Sequence, residues 1–476
     1  MTLSKLEADY LVVGAGAMGM AFVDTLLSES DATFIIVDRH HQPGGHWNDA
    51  YPFVRLHQPS AFYGVPSTEL GANRIDKAGP NEGYYELASG PEVSAYFDNV
   101  MRERFLPSGR VQYFPMTDYV GDGEFRSRLS ATRHTVEVRK KTVDSTFFNT
   151  SVPSTHERKF AVGDDVTCVT PNELPRTAVN HRKFAILGAG KTGMDVAVWL
   201  MEAGANPDSI SWFCPRDSWL INRATTQPGS LFAKQAAGGF AAQIEAMAKA
   251  SSIDDLFARM EAAGLVLRID ASAWPTMFHY ATISQGEIDR LRRIDNVIRR
   301  GRVAEVRAAE VVMQDGSTIP ADRETLYIDC TATAVEFKGA RTHPVFTDDV
   351  ITLQALRAPL VATSAALTGF VEATFDDDEE KNRYCQPVAL ADTPAEWVES
   401  FMGNMQNQGV WARQPEIRSW MAQCRLDPAR RMPNDVPPDE AASSAFKARI
   451  GEAIGPAIVN LQQILRSAES SHQRED

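Results

Sequence analysis

Cysteine is scarce in this chain of 476 residues, and the few cysteines present form no motif. No two of them have the C-x-x-C spacing that a zinc ribbon or a redox-active disulfide uses. Their scarcity fits a reducing compartment, and we expect buried, unreactive thiols. The five are Cys168, Cys214, Cys330, Cys385 and Cys424.

Long apolar runs are also missing. The longest uncharged apolar stretch, residues 358–371, is shorter than the roughly 20 residues that cross a bilayer. The chain begins directly with a strand pattern and shows no signal-peptide core. We therefore predict a cytoplasmic protein that has no membrane partner.

Positive charge is in deficit. The chain has 48 lysines and arginines against 62 aspartates and glutamates, a net charge of −14. This balance argues against a nucleic-acid partner, because such proteins depend on cationic surfaces. The acidic run at residues 376–380 lacks the spacing of a calcium loop, so no metal site is predicted.

A glycine-rich turn follows the first apolar strand pattern. Residues 9–13, DYLVV, have strand length, residues 14–19 read GAGAMG, and a helical pattern follows. In this setting GxGxxG binds the pyrophosphate of a dinucleotide at the positive end of the helix. A second apolar run ends in Asp38, where a carboxylate can bind both hydroxyls of an adenosine ribose and repel a 2′-phosphate. The predicted contacts to this first nucleotide are Gly14, Gly16, Ala17, Met18, Gly19, Asp38 and Arg39.

The same pattern returns near the middle of the chain. Residues 183–200 read KFAILGAGKTGMDVAVWL, and the predicted contacts are Gly188, Gly190, Lys191, Thr192 and Gly193. After the next strand pattern Arg216 takes the place of the ribose carboxylate, and its planar fork can clamp a 2′-phosphate. Asp217 beside it works against this preference, and a mere surface role for Arg216 is the alternative. Two nucleotide sites that differ at the ribose indicate FAD at the first and NADPH, more than NADH, at the second.

An aromatic and basic stretch, GGHWNDAYPFVRLHQPSAFYGVPS at residues 44–67, follows the first site. Together with the two glycine turns, it resembles class B flavoprotein monooxygenases, the flavin-containing, Baeyer–Villiger and N-hydroxylating enzymes. These carry a GGxW loop just after the ribose acid. The matching residues here are Gly44, Gly45, Trp47 and, for the Baeyer–Villiger branch, Tyr51, Pro52, Arg55 and Ser60. His57 stands where that branch has an aspartate.

The resemblance implies that this loop wraps the flavin. Gly45, His46 and Trp47 would then lie along the ribityl chain and ring, with Arg55 and His57 as catalytic candidates that tune charge near the flavin. By the same analogy Val120 is a backbone contact to the adenine. A packed aromatic loop that joins two domains is the alternative interpretation, as is a plain packing role for either histidine.

Two further segments decide how far the resemblance extends. Residues 324–335 are similar to the D-x-x-x-x-A-T-G segment that closes the NADPH insertion: Asp329 and residues 331–333 match, whereas Ala334 replaces the glycine. The F-x-G-x-x-x-H-x-x-x-W/Y fingerprint expected before the second glycine turn is absent, since His181 there lacks that spacing. The resemblance thus supports the fold and the cofactors more than it supports oxygenation.

The predicted fold class is α/β, with two Rossmann-like dinucleotide-binding domains and a C-terminal helical region. The length alone predicts more than one hydrophobic core. We expect the FAD domain at 1–180 and 301–390, the inserted NADPH domain at 181–300 with a helical insertion near 229–267, and a helical cap at 391–476. Ser284 and Glu287 form a capping box for a helix that is expected to run to Gly301. Its arginines are interpreted as a solvated face, or as a cationic approach for NADPH.

Three functions remain open. The leading hypothesis is an FAD-dependent, NADPH-using monooxygenase that transfers one oxygen atom of O₂ from a flavin C4a-(hydro)peroxide to a small organic substrate. The second is an NAD(P)H oxidase or reductase that passes electrons to O₂, a quinone or a carrier. The third is a non-catalytic dinucleotide-binding protein. The C-terminal helices also allow a homodimer.

Overall fold

The computed structural model describes residues 3–130, 132–333, 342–430, 432, 435 and 440–472. Ala334 lies outside the described residues. The strands are β1 Leu3–Val13, β2 Phe34–Val37, β3 Val111–Phe114, β4 Thr117–Gly121, β5 Glu124–Ser127, β6 Arg133–Asp144, β7 Ala161–Val162, β8 Cys168–Val169, β9 Lys183–Leu187, β10 Ile210–Phe213, β11 Ser218–Asn222, β12 Val266–Leu267, β13 Met277–Ile283, β14 Val297–Ile298, β15 Val303–Val306, β16 Glu310–Met313, β17 Thr318–Pro320, β18 Thr325–Asp329 and β19 Val350–Thr352. The helices are α1 Ala17–Glu29, α2 Gly90–Val100, α3 Leu174–Thr177, α4 Lys191–Glu202, α5 Ala233–Lys249, α6 Ile253–Ala262, α7 Gln285–Leu291, α8 Val361–Thr374, α9 Asp378–Tyr384, α10 Pro394–Arg413, α11 Pro415–Gln423 and α12 Glu440–His472.

The first sheet is built on continuous apolar strands. Its parallel part has the order β3-β2-β1-β6-β19, and β5 and β4 extend it as an antiparallel pair on β6. Every residue of β2 is buried, which is typical of a parallel strand covered on both faces. α1 covers one face, and α8 packs against it so closely that a Cβ on Gly369 would come within 2.9 Å of the Phe22 carbonyl oxygen. The apolar run at 358–371 is therefore accounted for by a buried helix.

The second sheet repeats this design. It is wholly parallel, with the order β14-β10-β9-β18-β8, and its glycine turn leads from β9 into α4. In both sheets the strand before the glycine turn lies between the next strand of its own unit and a later strand of the chain. The predicted fold class, α/β with two Rossmann-like units, is confirmed.

The helical region combines two distant parts of the chain. α5 and α6 follow the second glycine unit, and they pack with α10 and α12 around a separate apolar core that includes Phe257 and Leu461. No helix in the described ranges combines the length and apolar character needed to span a bilayer. The same ranges contain no group of three or more histidine, cysteine, aspartate or glutamate side chains that could hold a metal ion.

All five cysteines are free. Cys168 is half-buried and the other four are buried, and burial raises the pKa of each thiol. The expectation of buried thiols is confirmed for four of the five cysteines, and their lack of reactivity stays a prediction.

One predicted helix is shorter than expected. The capping box of Ser284 and Glu287 is present, but α7 ends at Leu291. The chain then pairs with β10 as strand β14, with Val297 opposite Trp212. The prediction of a helix that runs to Gly301 was wrong.

Candidate functional site

The first glycine turn has no room for side chains at two positions. Gly14 has φ of +100°, and a Cβ on Gly19 would lie 2.2 Å from the Gly14 carbonyl oxygen. Helix α1 starts from Gly16 without a side-chain cap, so its first N–H groups face outward with no side chain to accept from them. Such a helix start can bind an anion.

Asp38 is fixed on this turn. It follows β2 directly, and its Oδ2 accepts the Ala15 N–H at 2.6 Å. Its Oδ1 accepts from the backbone N–H of His40 at 2.7 Å, and it lies 2.9 Å from the ring Nδ1 of that histidine. The hydrogen bond to Asp38 raises the pKa of His40, whose Nε2 lies 2.7 Å from Asp49. Both oxygens of the Asp38 carboxylate are thus fixed beside the turn, whereas Arg39 is exposed.

The GGHW segment packs directly on the glycine turn. Gly44 donates its N–H to the Ala15 carbonyl at 2.9 Å, and a Cβ on Gly16 would lie 3.6 Å from the Cα of Gly45. Residues Gly45–Asn48 form a 3-10 turn. The indole N–H of Trp47 donates to the Tyr63 hydroxyl at 2.8 Å. Glycine at both contact points lets the two backbones meet.

Buried polar atoms without a partner lie close to the same place. The Oδ1 of Asn48 and the hydroxyl of Tyr113 are enclosed and have no hydrogen-bond partner among the described residues. Tyr113 stands opposite Ile36 in the sheet, near the strand end that carries Asp38. Buried polar groups normally find a partner, so these two atoms are available to a water or to a polar ligand.

The aromatic stretch continues to the second Rossmann-like unit. The Tyr51 hydroxyl donates to Asp195 of α4 at 2.7 Å, and Phe53 stacks on Trp199 with ring centroids 5.0 Å apart. The Nδ1 of His57 accepts the Thr282 N–H at 3.1 Å. The alternative interpretation, a packed loop between two domains, therefore describes residues 51–57.

The two candidate catalytic residues lie in different surroundings. Arg55 is exposed, and its backbone pairs with Ser89. His57 lies at the junction of the two units, where burial, followed by Lys191 and Arg223, lowers its pKa to about 3. Burial likewise lowers the pKa of His46 to about 4. Both histidines are neutral near pH 7.

A buried ion cluster fills this junction. Lys191 pairs with Asp195 on its own helix and with Glu287 of α7 at 3.1 Å. Arg223, which is 1% exposed, binds Glu287 at 2.6 Å. Burial opposes ionisation of Glu287, yet Lys191 and Arg223 lower its pKa to about 2. The sequence prediction named Lys191 but missed the Lys191–Glu287 and Arg223–Glu287 pairs, because nothing local marks pairs separated by 96 and 64 positions.

The second glycine turn is more open than the first. Gly188 has φ of +119°, and its Cβ would lie 2.5 Å from the Cys330 carbonyl oxygen, whereas a Cβ on Gly190 would meet nothing within 4 Å. Helix α4 starts from Gly190 without a side-chain cap, with Lys191 and Thr192 as its first residues. This turn therefore leaves free space where a pyrophosphate would approach.

A small cavity that is partly open to solvent adjoins the turn. Its walls include Ala189 of the turn and Cys214 after β10. Gly14 donates to Val37 and Gly188 donates to Phe213, so Cys214 holds the backbone place that Asp38 holds in the first unit. Arg216 is exposed, two residues further on. The cavity is lined by Ala189, Met194, Trp212, Cys214, Asp217, Ser218, Arg268, Ile269, Asp270, Pro275, Val297 and Arg299.

Other predicted residues lie at the margins of these sites. Val120, on β4, is 52% exposed; its strand begins where the Thr117 N–H donates to the Asp38 carbonyl. Arg425, which the sequence prediction missed, closes the far end of the aromatic stretch. Its guanidinium donates to the carbonyls of Ala61, Tyr63 and Val65 at 2.5–3.0 Å.

Comparison with known proteins gives a family for this arrangement. The chain is 45% identical over 455 residues to the uncharacterized protein Rv2000 of Mycobacterium tuberculosis, which covers 94% of this chain and 83% of that protein. The chain belongs to the same family as this mycobacterial protein. No family model matches this chain of 476 residues.

Solved structures with a similar course of the chain carry flavoprotein names. A closed structure of cyclohexanone monooxygenase is 13% identical with a TM-score of 0.48, covering 98% of each chain. A flavin-containing monooxygenase from Stenotrophomonas maltophilia is 16% identical with a TM-score of 0.45, covering 80% of this chain and 99% of that one.

Proposed function

We propose that this protein is an FAD-dependent oxidoreductase that takes electrons from NADPH and transfers one oxygen atom from O₂ to a small organic substrate. One observation carries the proposal: the stretch 44–67 packs on the first glycine turn through Gly44 and on the helix of the second turn through Tyr51. A flavin held at the first turn and a nicotinamide held at the second turn would then lie on either side of residues 44–67.

The first site suits FAD. The N–H groups of Gly16, Ala17 and Met18 would hold the pyrophosphate, with Gly14 and Gly19 giving the turn its shape. Asp38, with Arg39 beside it, would hold the ribose, and Val120 the adenine. The Tyr113 hydroxyl and the Asn48 Oδ1, which have no partner among the described residues, would be free to form hydrogen bonds with the nucleotide. When bound, the flavin supplies the chemistry of accepting a hydride and reacting with O₂.

The chain's own residues shape the surroundings of the flavin ring. Gly45, His46 and Trp47 would lie along it, with buried Tyr51 and Phe62 excluding water. Arg55 would supply a positive charge from the solvent side. Because His57 Nδ1 accepts a backbone N–H and the ring is neutral, its proton sits on Nε2, and His57 can donate one hydrogen bond without adding charge.

The second site suits a nicotinamide dinucleotide. The free space at Gly190 and the uncapped start of α4 would take the pyrophosphate, bounded by Gly188, Thr192 and Gly193. Lys191 would add positive charge near the pyrophosphate without contacting it through its amine, because the amine already pairs with Asp195 and Glu287. Arg216 would approach a 2′-phosphate from the surface.

The proposal is tested with the purified protein. We expect a flavin spectrum, FAD released on denaturation, and bleaching by NADPH under anaerobic conditions faster than by NADH. In air, a substrate should lower the hydrogen peroxide formed for each NADPH consumed. A colourless protein that stays colourless with added FAD would instead support a non-catalytic dinucleotide-binding protein.

The second candidate is an NAD(P)H oxidase or reductase. The exposure of Arg55 favours it, because a cation surrounded by water stabilises a negatively charged flavin less than an enclosed cation does. Peroxide equal to NADPH consumed with every compound tried, or reduction of a quinone at a higher rate than oxygen uptake, would decide for this function.

A further inference from the structure

An acidic side chain faces the cavity at the second glycine turn. Asp217 lines this cavity together with Asp270 and Arg299. Arg299 holds Asp217 with two hydrogen bonds, Nε to Oδ2 at 2.8 Å and Nη2 to Oδ1 at 3.1 Å. Its Nη1 lies 3.1 Å from Asp270 Oδ2. Arg216, in contrast, is exposed and is not among the lining residues.

The backbone fixes where this group stands. The Asp217 carbonyl accepts from the N–H groups of Thr276 and Met277 at 3.1 and 3.2 Å, which ties the segment after β10 to the start of β13. The cavity therefore runs from Ala189 of the glycine turn to a carboxylate held by an arginine. A ribose joined to a pyrophosphate on this turn would have to lie along the same wall.

The charges of the three side chains decide what they bind. Asp217, Asp270 and Arg299 together carry a net charge of −1, and the other guanidinium of the lining, that of Arg268, is held by the Glu261 carboxylate. A 2′-hydroxyl can donate to Asp217 while Arg299 keeps its place. A 2′-phosphate can pair with Arg299 only in competition with both carboxylates, and like charges in contact oppose binding. The lining of the cavity is therefore not wholly cationic, and it does not exclude a nucleotide that lacks the 2′-phosphate.

We propose that Asp217 contacts the 2′ position of the adenosine ribose, and that the second site consequently accepts NADH as well as NADPH. This inference rests on the proposed nucleotide function of the second site. Arg216 at the surface would add a modest attraction for the phosphate, since exposed pairs contribute little. The selectivity of the site would then depend mainly on one carboxylate.

Calorimetric titration of the full-length protein with 5′-AMP and with 2′,5′-ADP tests this without any turnover. For the wild type we expect dissociation constants that differ by less than about tenfold. D217N should shift the ratio toward 2′,5′-ADP by about tenfold, because it removes a like charge near the phosphate. D217E, which keeps the ion pair and extends the carboxylate, should shift the ratio toward 5′-AMP. D295N removes an exposed carboxylate outside the cavity and should change nothing.

Three outcomes would overturn the inference. If the wild type prefers 2′,5′-ADP by more than about a hundredfold, the site is a dedicated NADPH site. If neither D217N nor D217E moves the ratio, or if R216Q moves it more than either, another residue contacts the 2′ position. If neither nucleotide binds the wild type while NADPH still reduces the protein, the cavity is not the adenosine pocket; if NADPH also fails, the proposed function falls with it.

Discussion

The substitution G190A separates the stability of the second glycine turn from its proposed role. Gly190 has φ of −72° and ψ of 178°, a conformation open to any residue, and a Cβ there would meet nothing within 4 Å. Alanine lowers the entropy of the unfolded chain, worth about 0.4–1 kcal/mol, and is a poorer helix N-cap than glycine by a similar amount. We therefore expect the free energy of unfolding to stay within about 1 kcal/mol of the wild-type value.

Binding should respond quite differently. If the pyrophosphate approaches the backbone at Gly190, the new methyl group occupies space that the ligand needs. Overpacking by one methyl costs about 1–3 kcal/mol, which corresponds to a loss of affinity of about fivefold to 150-fold. Urea unfolding and calorimetric titration with NADPH measure the two quantities on the same preparation.

G188A is the matched control. Its φ of +119° and the Cys330 carbonyl 2.5 Å from the added Cβ predict a loss of stability of at least about 2 kcal/mol. Wild-type affinity in G190A would refute the placement of the pyrophosphate. A strongly destabilised G190A would refute the description of the turn itself.

Three further changes test the junction and the aromatic stretch. Y51F removes the bond to Asp195 and should cost about 1.5–3 kcal/mol in urea unfolding, with Y119F on the first sheet as a control that should cost less. R425A leaves the carbonyls of Ala61, Tyr63 and Val65 without their donor and should cost at least about 3 kcal/mol and lower the flavin content; unchanged flavin content would contradict the closing role of Arg425. His57, with a folded pKa of about 3, binds its proton in the unfolded chain first, near pH 6.5. Stability should therefore fall as the pH drops below about 6.5, by up to about 2 kcal/mol at pH 5 from this residue, and H57Q should flatten that fall when unfolding is followed from pH 7 to pH 5.

Local patterns predicted the two glycine units well. Each combines an apolar strand, a turn that needs glycine and an amphipathic or buried helix, all within about 20 consecutive residues. Capping at Ser284 was visible for the same reason, since the capping box spans four residues. The end of that helix was not visible, because residues 297–298 gain their partner from β10, far away in the chain.

The charged groups of the site could not be predicted. Asp195 lies one helical turn from Lys191, but Glu287 and Arg223 join this pair only after the second unit has folded, and Arg299 reaches Asp217 across 82 positions. Arg299 was interpreted as part of a solvated face because its neighbours in sequence are also arginines. The sequence prediction placed Arg216 at the position of the ribose ligand by counting from the end of the strand. The register of β9 and β10 instead makes Cys214 the residue equivalent to Asp38.

Arg425 gives the synthesis of this protein a fixed order of events. The carbonyl of Val65 and the guanidinium that binds it are 360 positions apart, so a ribosome that adds about 5–20 residues per second needs roughly 20–70 s between them. During that interval the nascent chain can already form β1, the glycine turn and β2, while the carbonyls of residues 61–65 still lack the Arg425 guanidinium that binds them. The conformation of residues 61–65 can therefore become fixed only after the C-terminal part of the chain has been synthesised.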